Sequence, residues 1–291
     1  MNRTVTSHED VDQILAFFTK ETQGIFGTGL TGIYLTGSLS YNAFNYGSSD
    51  IDVTVILERP VTSVELTALR VLHTTLVQCF GKWARRFECS YTPIGMLPGI
   101  LPPGSRPWYW GGDDILYAEA PYGNEWIINN YLLYHHAIPL AGPEFKQLME
   151  PVDMAEVQKA CVRDLFTEWE PKRTDRKWFR DRHYESYFVL NLCRILYTVI
   201  RGDAGSKQTA AAWVQGNFPE PWPGLVAAAA RLEHGGASYL QDNAIGFLDF
   251  VIETVRTTQL GGKMAGEIEA IRRRARRPAT TERFGGEDIH A

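Results

Sequence analysis

Two aspartates stand two residues apart at the start of the apolar segment DIDVTVIL, whose β-branched residues favour a strand. Side chains two apart on a strand point to the same face, so Asp50 and Asp52 present two carboxylates side by side, with Ile51 turned into the core. Adjacent like charges repel unless a cation lies between them. Magnesium prefers oxygen ligands and typically binds one or two carboxylates together with substrate phosphates. The spacing therefore predicts a Mg²⁺ site at Asp50 and Asp52.

A glycine-serine pair, Gly37-Ser38, ends the preceding apolar segment, and a loop of eleven residues connects it to Asp50. Gly37 lets the backbone come close to a phosphate, while the Ser38 hydroxyl and nearby amides can bond its oxygens. An isolated Asp-x-Asp pair is common at solvated turns, but a GS pair followed by SDID between two apolar strands is much more specific. The motif therefore predicts a phosphate cradle beside the metal site.

A third carboxylate, Glu88, lies in the segment RFECSYTP, residues 86 to 93, which predicts another strand. Phe87 and Cys89 would face one side of this strand and Glu88 the other. If the strand lies beside the aspartates, Glu88 reaches the metal or takes a proton as general base. The three carboxylates then favour phosphoryl-type transfer through one or two metal ions. The alternative is an ordinary strand residue on a solvent face.

The elements that would position these residues follow from hydrophobic periodicity. The sequence predicts helices over 8–26 and 62–80, strands over 32–37, 50–57 and 86–93, and then helices over 124–136, 154–169, 180–201, 206–216, 222–233 and 238–258. This order predicts an α/β + α fold with a short mixed sheet in the N-terminal domain and a C-terminal helical bundle. We expect domains at 1–150 and 151–260, followed by a mobile basic tail at 261–291.

Composition excludes several classes of function. The net charge of -5 argues against duplex nucleic acid as a partner and is compatible with a small cationic acceptor. Apolar runs fall well short of the roughly 20 residues that span a bilayer. The four cysteines have no metal-site spacing. The sequence thus predicts a cytoplasmic protein without membrane association, and it leaves the oligomeric state open.

The pattern GS-x10-SDID-x-T-V resembles the nucleotidyltransferase superfamily of polymerase beta type. The whole chain looks like the aminoglycoside adenylyltransferases that modify the antibiotics streptomycin and spectinomycin. LAGPEFKQLMEPV at 140–152 and LNLCRILYTVIRGDAGSKQTAAAWV at 190–214 support this resemblance. It implies Mg²⁺-dependent transfer of AMP from ATP to a hydroxyl of a small acceptor, with a nucleotidyltransferase domain at residues 1–150.

The resemblance also implies roles for individual residues. Ser38 and Ser49 would touch the triphosphate, while Asp50 and Asp52 would hold magnesium. Glu88 would be the general base and could share the metals. Arg194 and Lys207 in the helical domain would close over the phosphates. Without the resemblance, these two cations are an ordinary arginine on a helix surface and a lysine at a helix start.

The acceptor side is where the chain departs from the family pattern. Trp108 and Trp110 lie in a Gly/Pro-rich connection, and aromatic rings make good walls for sugars or bases; the alternative is a linker that buries its rings between domains. Family members carry acidic residues in the segment that reads Tyr184-Glu185-Ser186-Tyr187 here, and this chain retains only Glu185, with a tyrosine in place of an acidic acceptor contact. We expect Trp108, Trp110, Tyr184, Glu185 and Tyr187 to form the acceptor site.

Two alternatives remain open at this stage. One is nucleotidyl transfer to another acceptor, such as a lincosamide, a sugar, a protein or an RNA end. The other is a non-catalytic nucleotide-binding or antitoxin-like partner, against which the intact set of Asp50, Asp52 and Glu88 argues.

Overall fold

The computed structural model describes residues 5–97, 106–113, 115–175, 179, 182–231 and 240–275. Six strands form one sheet: β1 Leu30–Thr36, β2 Ile51–Leu57, β3 Phe87–Pro93, β4 Trp108–Trp110, β5 Leu116–Tyr117 and β6 Ile138–Ala141. The described helices are α1 Glu9–Phe26, α2 Gly37–Ser40, α3 Ser63–Phe80, α4 Glu125–His136, α5 Met154–Asp164, α6 Arg182–Arg201, α7 Lys207–Asn217, α8 Trp222–Arg231, α9 Gln241–Thr257 and α10 Gln259–Ala275.

The sheet has the strand order β5-β4-β3-β2-β1-β6. Among the described strands, β2 and β3 run parallel, and the other neighbouring pairs are antiparallel. Parallel neighbours need a crossover connection, and α3 supplies it. The helix starts at a capping box, in which Thr62 and Glu65 exchange hydrogen bonds, and Arg59 donates two more to Glu65 at 2.9 Å each. The predicted short mixed sheet is confirmed.

The two faces of the sheet have different environments. Alternate residues of β2 and β3, including Ile51, Val53, Phe87 and Cys89, pack with α1 and α3 in one hydrophobic core. The opposite face packs a smaller cluster around Tyr34 under α4. Because strand side chains alternate, the residues between the core positions must face this second side.

A second, larger core lies among the C-terminal helices α5 to α10. Helix α10 belongs to this bundle, since Met264 and Ala265 are buried and Arg272 donates to Glu170 at 2.6 Å. The tail predicted to be mobile from residue 261 is thus helical as far as Ala275, where it packs its apolar side against α5 and α9. The rest of that tail lies outside the described residues, and the domain boundary near residue 150 stays a prediction.

Element types agree with the sequence prediction more closely than the connections do. The long helices and the first three strands lie within a few residues of their expected positions. Trp108–Trp110, expected in a flexible connection, is a strand because it pairs with Cys89 to Tyr91 of β3. No helix in the described part of the chain is long and apolar enough to cross a membrane. The expected cytoplasmic location stays a prediction.

Candidate active site

A cleft of about 710 Å³ lies between the second face of the sheet and helices α4, α6 and α7. Ten of the residues singled out in the sequence line it: Gly37, Ser38, Ser49, Asp50, Asp52, Glu88, Tyr184, Tyr187, Arg194 and Lys207. They come from both halves of the chain. The fold therefore brings the GS and Asp-x-Asp motifs together with the two cations of the helical half.

Gly37 packs directly against the second aspartate. It has a φ of +63°, in the left-handed region that favours glycine, and a Cβ built on it would overlap the Asp52 carboxylate. The preceding residue, Thr36, is the antiparallel partner of Asp52. The GS turn and the aspartates are thus close enough to share one triphosphate.

The carboxylates of Asp52 and Glu88 project from neighbouring strands. The two residues are Cα partners in the parallel pair of β2 and β3. Burial, together with the Asp50 carboxylate, raises the pKa of Asp52. Burial and the Asp52 carboxylate likewise raise the pKa of Glu88. A group of acids that disfavours its own ionised form is suited to a ligand that brings positive charge.

Positive charge faces these acids from the helical half. Burial and the nearby Arg194 lower the pKa of Lys207, while the carboxylates of Asp52 and Asp50 oppose that shift. The Lys207 ammonium lies 4.7 Å from the centre of the Tyr187 ring, in cation–π geometry. Arg194 and Lys207 thus lie close enough together to lower the lysine pKa. Such a pair of cations is well placed to bind phosphate oxygens.

The loop before Asp50 is held by Arg86, which sequence reasoning missed. Its guanidinium donates to the Tyr46 carbonyl at 3.0 Å and to the Ser49 carbonyl, and its Nε lies 3.9 Å from Asp50 Oδ1. The Trp83 ring lies beneath it at 4.7 Å. A basic residue before a strand carries no signal for such a role, because the loop it binds is distant in sequence.

Tyr109 is the second residue that sequence reasoning missed. Its hydroxyl donates to Glu88 Oε2 at 2.7 Å and lines the cleft. Its neighbours on β4 face the other side, where Trp110 is 5% exposed and stacks on His73 at 4.2 Å, and Trp108 packs on the same core. The expectation that Trp108 and Trp110 contact an acceptor is therefore wrong. Strand alternation would have identified Tyr109 had β4 been recognised.

The start of α6 also corrects one expectation. Glu185 is fully buried and accepts a hydrogen bond from the Leu240 amide at 3.1 Å, so it cannot touch an acceptor in the cleft. Tyr184 and Tyr187 line the cleft and are 49% and 37% exposed. The aromatic pair, rather than the acid between them, faces the site.

The donor atoms present fit magnesium only with help from a substrate. Among the described residues, no group of three or more His, Cys, Asp and Glu side chains is close enough to hold an ion. The expected centre with Glu88 as a third protein ligand is thus not formed by the side chains alone, and Tyr109 binds one of the Glu88 oxygens. Asp50 and Asp52 supply hard oxygen ligands, and phosphates and water usually complete the magnesium shell.

Comparison with known proteins covers both halves of the chain. The family model described as "Aminoglycoside adenylyltransferase, C-terminal domain" matches residues 147–254. Spectinomycin 9-adenylyltransferase of Campylobacter jejuni is 25% identical over 239 residues, which cover 79% of this chain and 86% of that protein. The Staphylococcus aureus protein of the same name is 24% identical over 73% of this chain and 81% of its own length.

A solved structure supports the fold. The chain resembles the crystal structure of spectinomycin adenyltransferase from Enterococcus faecialis with ATP and spectinomycin, with a TM-score of 0.60. The two sequences are 16% identical, and the match covers 82% of this chain and 96% of the other. The expected α/β + α architecture is therefore confirmed.

Proposed function

We propose that the chain is an aminoglycoside adenylyltransferase, which transfers AMP from ATP to a hydroxyl group of an aminoglycoside-type acceptor, with spectinomycin as the first candidate. The relatives named for spectinomycin motivate that choice. The products would be the adenylylated acceptor and pyrophosphate.

One observation carries the proposal. Asp52 and Glu88 are paired across two parallel strands beside the Gly37 turn, and Arg194 and Lys207 line the same cleft. Acids alone would suit a cation, and bases alone would suit any anion. Their combination within one cleft suits a triphosphate bound through a metal ion, since both the ion and the phosphates then find complementary charge.

The proposed reaction is an in-line displacement at the α-phosphorus. The acceptor oxygen forms a bond to this phosphorus while the bond to the bridging oxygen breaks, and the electron pair leaves with pyrophosphate. Glu88 takes the hydroxyl proton, and Tyr109 holds its second carboxylate oxygen at 2.7 Å. Arg194 and Lys207 neutralise the leaving pyrophosphate. A magnesium ion bound by Asp50 and Asp52 would supply further charge neutralisation at the phosphates.

The acceptor would lie against the aromatic side of the cleft. Tyr184 and Tyr187 from α6 line it together with Tyr109 of β4. Tyrosine offers an apolar face to a ring and a hydroxyl to its polar groups. The cleft volume of about 710 Å³ lies within the range of pockets for a drug-sized ligand.

Pyrophosphate release tests the proposal. The chain should release pyrophosphate from ATP when spectinomycin and Mg²⁺ are present, and a chelator should abolish this release. Asp52→Asn should lower the rate by at least about 100-fold, while Glu58→Gln, an exposed acid after the other end of β2, should leave it unchanged. ATP binding without release for any aminoglycoside would instead favour a nucleotide-binding module.

Resistance of cells provides an independent readout. Expression of the chain in a susceptible bacterium should raise the spectinomycin concentration that stops growth, and Asp52→Asn should abolish the effect. Mass spectrometry of the recovered drug should show the mass of one added AMP group.

A further inference from the structure

Three hydroxyl side chains continue the row of cleft-facing residues beyond the carboxylates. Thr54 follows Asp52 on β2, and Ser90 and Thr92 follow Glu88 on β3, each at alternate positions. Ser90 Oγ donates to Thr54 Oγ1 at 3.5 Å, and Thr92 Oγ1 donates to Ser90 Oγ at 3.4 Å. All three residues line the cleft. The sheet face therefore changes from charged to neutral polar within one residue pair of the catalytic acids.

Helix α4 places two further polar groups over this row. Trp126 and Asn130 lie one turn apart on the helix and both line the cleft, with exposures of 3% and 1%. Asn130 Nδ2 donates to the Leu97 carbonyl at 3.3 Å. Its Oδ1 atom and the Trp126 Nε1 atom have no hydrogen-bond partner in the described part of the chain. Buried polar atoms are normally paired, so an unpaired acceptor and an unpaired donor in one recess require an explanation.

We infer that Thr54, Ser90, Thr92, Trp126 and Asn130 form a binding subsite, here named the hydroxyl recess, for a hydroxyl-bearing sugar or cyclitol ring of the acceptor. The inference rests on the proposed function. Asn130 Oδ1 accepts and Trp126 Nε1 donates, which is the pair of functions that ring hydroxyl groups complement. None of the five side chains is charged, so the recess recognises hydroxyl groups rather than ammonium groups.

The strand register assigns the recess to the acceptor rather than to the nucleotide. The Gly37 turn lies at the N-terminal end of β2, because Thr36 is the partner of Asp52. Thr54 and Ser90 are partners one pair further along β2 and β3. The Asp52–Glu88 pair thus separates the phosphate turn from the recess. In an in-line displacement the acceptor oxygen attacks the α-phosphorus from the side opposite the leaving pyrophosphate. With the pyrophosphate bound at the Gly37 turn, as the proposed function requires, the recess lies on the side of the acceptor.

The test measures binding separately from transfer. Calorimetric titration of spectinomycin into the full chain, with Mg²⁺ and a non-hydrolysable ATP analogue, gives the affinity for the acceptor. Asn130→Leu and Thr92→Val should each raise the spectinomycin dissociation constant about 10-fold, and both should leave that of the ATP analogue within about 2-fold. Thr74→Val, an exposed threonine on α3, is the matched control for Thr92→Val. Thr92→Val keeps the side-chain volume, so it tests the recess even if Asn130→Leu folds poorly.

The outcomes separate this inference from the proposed function. If wild type releases pyrophosphate with spectinomycin but both variants bind the drug as wild type does, the inference fails and the function stands. If wild type binds spectinomycin more tightly than the variants but releases no pyrophosphate, the function fails and the subsite stands. Loss of affinity for the ATP analogue alone would assign the recess to the nucleotide, and absence of spectinomycin binding to wild type would overturn the inference.

Discussion

Asp52 and Glu88 are directly opposite each other on two parallel strands, and both face the cleft. Burial raises the pKa of both side chains; the Asp50 carboxylate raises the pKa of Asp52 further, and the Asp52 carboxylate raises that of Glu88. The ligand-free chain therefore folds against an electrostatic cost that a metal–nucleotide complex would offset. Sites prepared for charged ligands commonly lower the stability of the free protein in this way.

Removal of either charge should stabilise the ligand-free chain. The folded-state pKa values of both acids lie above their unfolded values, so their contribution to stability is present at low pH and is lost as pH rises from about 4 through those raised values. At pH 8, the free energy of unfolding of Asp52→Asn and of Glu88→Gln should therefore be about 1–3 kcal/mol higher than that of wild type. Urea denaturation without Mg²⁺ or nucleotide measures this difference.

Two comparisons make that prediction specific. The stability gain should shrink as the pH is lowered towards 4, and Glu58→Gln should show no gain at any pH. Addition of Mg²⁺ and ATP should stabilise wild type more than either variant, because only wild type keeps the full site. A variant that is less stable than wild type at pH 8 would contradict the repulsion inferred from the strand register.

Tyr109→Phe should slow the reaction without weakening nucleotide binding. The change removes the hydroxyl that donates to Glu88 Oε2 at 2.7 Å and keeps the ring. A hydrogen bond to a charged group contributes about 1.5–3 kcal/mol, so kcat should fall about 10- to 100-fold while the KM for ATP stays constant. Steady-state pyrophosphate release at varied ATP measures both quantities.

The next strand offers a matched control for Tyr109. Tyr117 on β5 donates its hydroxyl to Asp113 at the surface, away from the cleft, so Tyr117→Phe should keep wild-type kinetics. If Tyr109→Phe raised the KM for ATP and left kcat unchanged, the hydroxyl would belong to nucleotide binding rather than to positioning of Glu88.

Short-range patterns were sufficient to predict much of this site. Asp50, Asp52 and Glu88 follow from alternation along strands that are apolar on their other face, and that alternation survives in the structure. The long helices were likewise predictable, because their apolar residues recur with the helical period. Arg194 and Lys207 were predicted only through the family resemblance, since nothing local distinguishes them from surface cations.

Long-range pairing explains what could not be predicted. Trp108–Trp110 becomes a strand only because β3 pairs with it, and that pairing decides which of three adjacent aromatic residues faces the cleft. The buried Glu185 accepts a hydrogen bond from the amide of Leu240, which lies 55 residues away in the sequence. The unpaired atoms of the hydroxyl recess are visible only once α4 lies over the sheet. Each of these features depends on tertiary contacts that a sequence pattern does not record.

Arg86→Gln should impair the reaction by loosening the loop before Asp50. The substitution removes the guanidinium that holds the carbonyls of Tyr46 and Ser49 and lies 3.9 Å from Asp50. Asp50 is a proposed metal ligand, and a modest misplacement of such a group is costly, so kcat/KM for ATP should fall about 10- to 100-fold. Pyrophosphate assays at varied ATP and varied Mg²⁺ should show that more Mg²⁺ is needed for half-maximal rate.

A substitution of the adjacent arginine shows whether the position of the guanidinium matters or only its charge. Arg85→Gln removes the same charge from an exposed neighbour and should have little effect. Arg86→Lys keeps the charge but cannot span both carbonyls, so its activity should lie between those of wild type and Arg86→Gln. Equal activity of Arg86→Gln and Arg85→Gln would show that the loop keeps its position without the guanidinium.

His73 should make the packing of α3 against the sheet sensitive to acid. Its ring is 1% exposed, stacks on Trp110 at 4.2 Å and forms a 2.7 Å hydrogen bond with the Tyr91 hydroxyl. Burial lowers the pKa of His73 to about 3. The unfolded chain binds this proton near pH 6.5, so the stability contributed by the neutral ring is complete above that pH and is lost as pH falls towards 3.

His73→Gln removes the titrating ring while keeping a hydrogen-bonding group for Tyr91. At pH 8 we expect a loss of about 1–3 kcal/mol in unfolding free energy from poorer packing against Trp110, and this value gives the packing cost by itself. Below pH 6.5, wild type should lose about 1.4 kcal/mol per pH unit more than the variant, because one extra proton binds on unfolding. Urea denaturation at pH 8, 6 and 5 measures the two slopes. Parallel slopes would mean that the folded protein accepts a proton on His73, and hence that the Trp110 stack opens in acid.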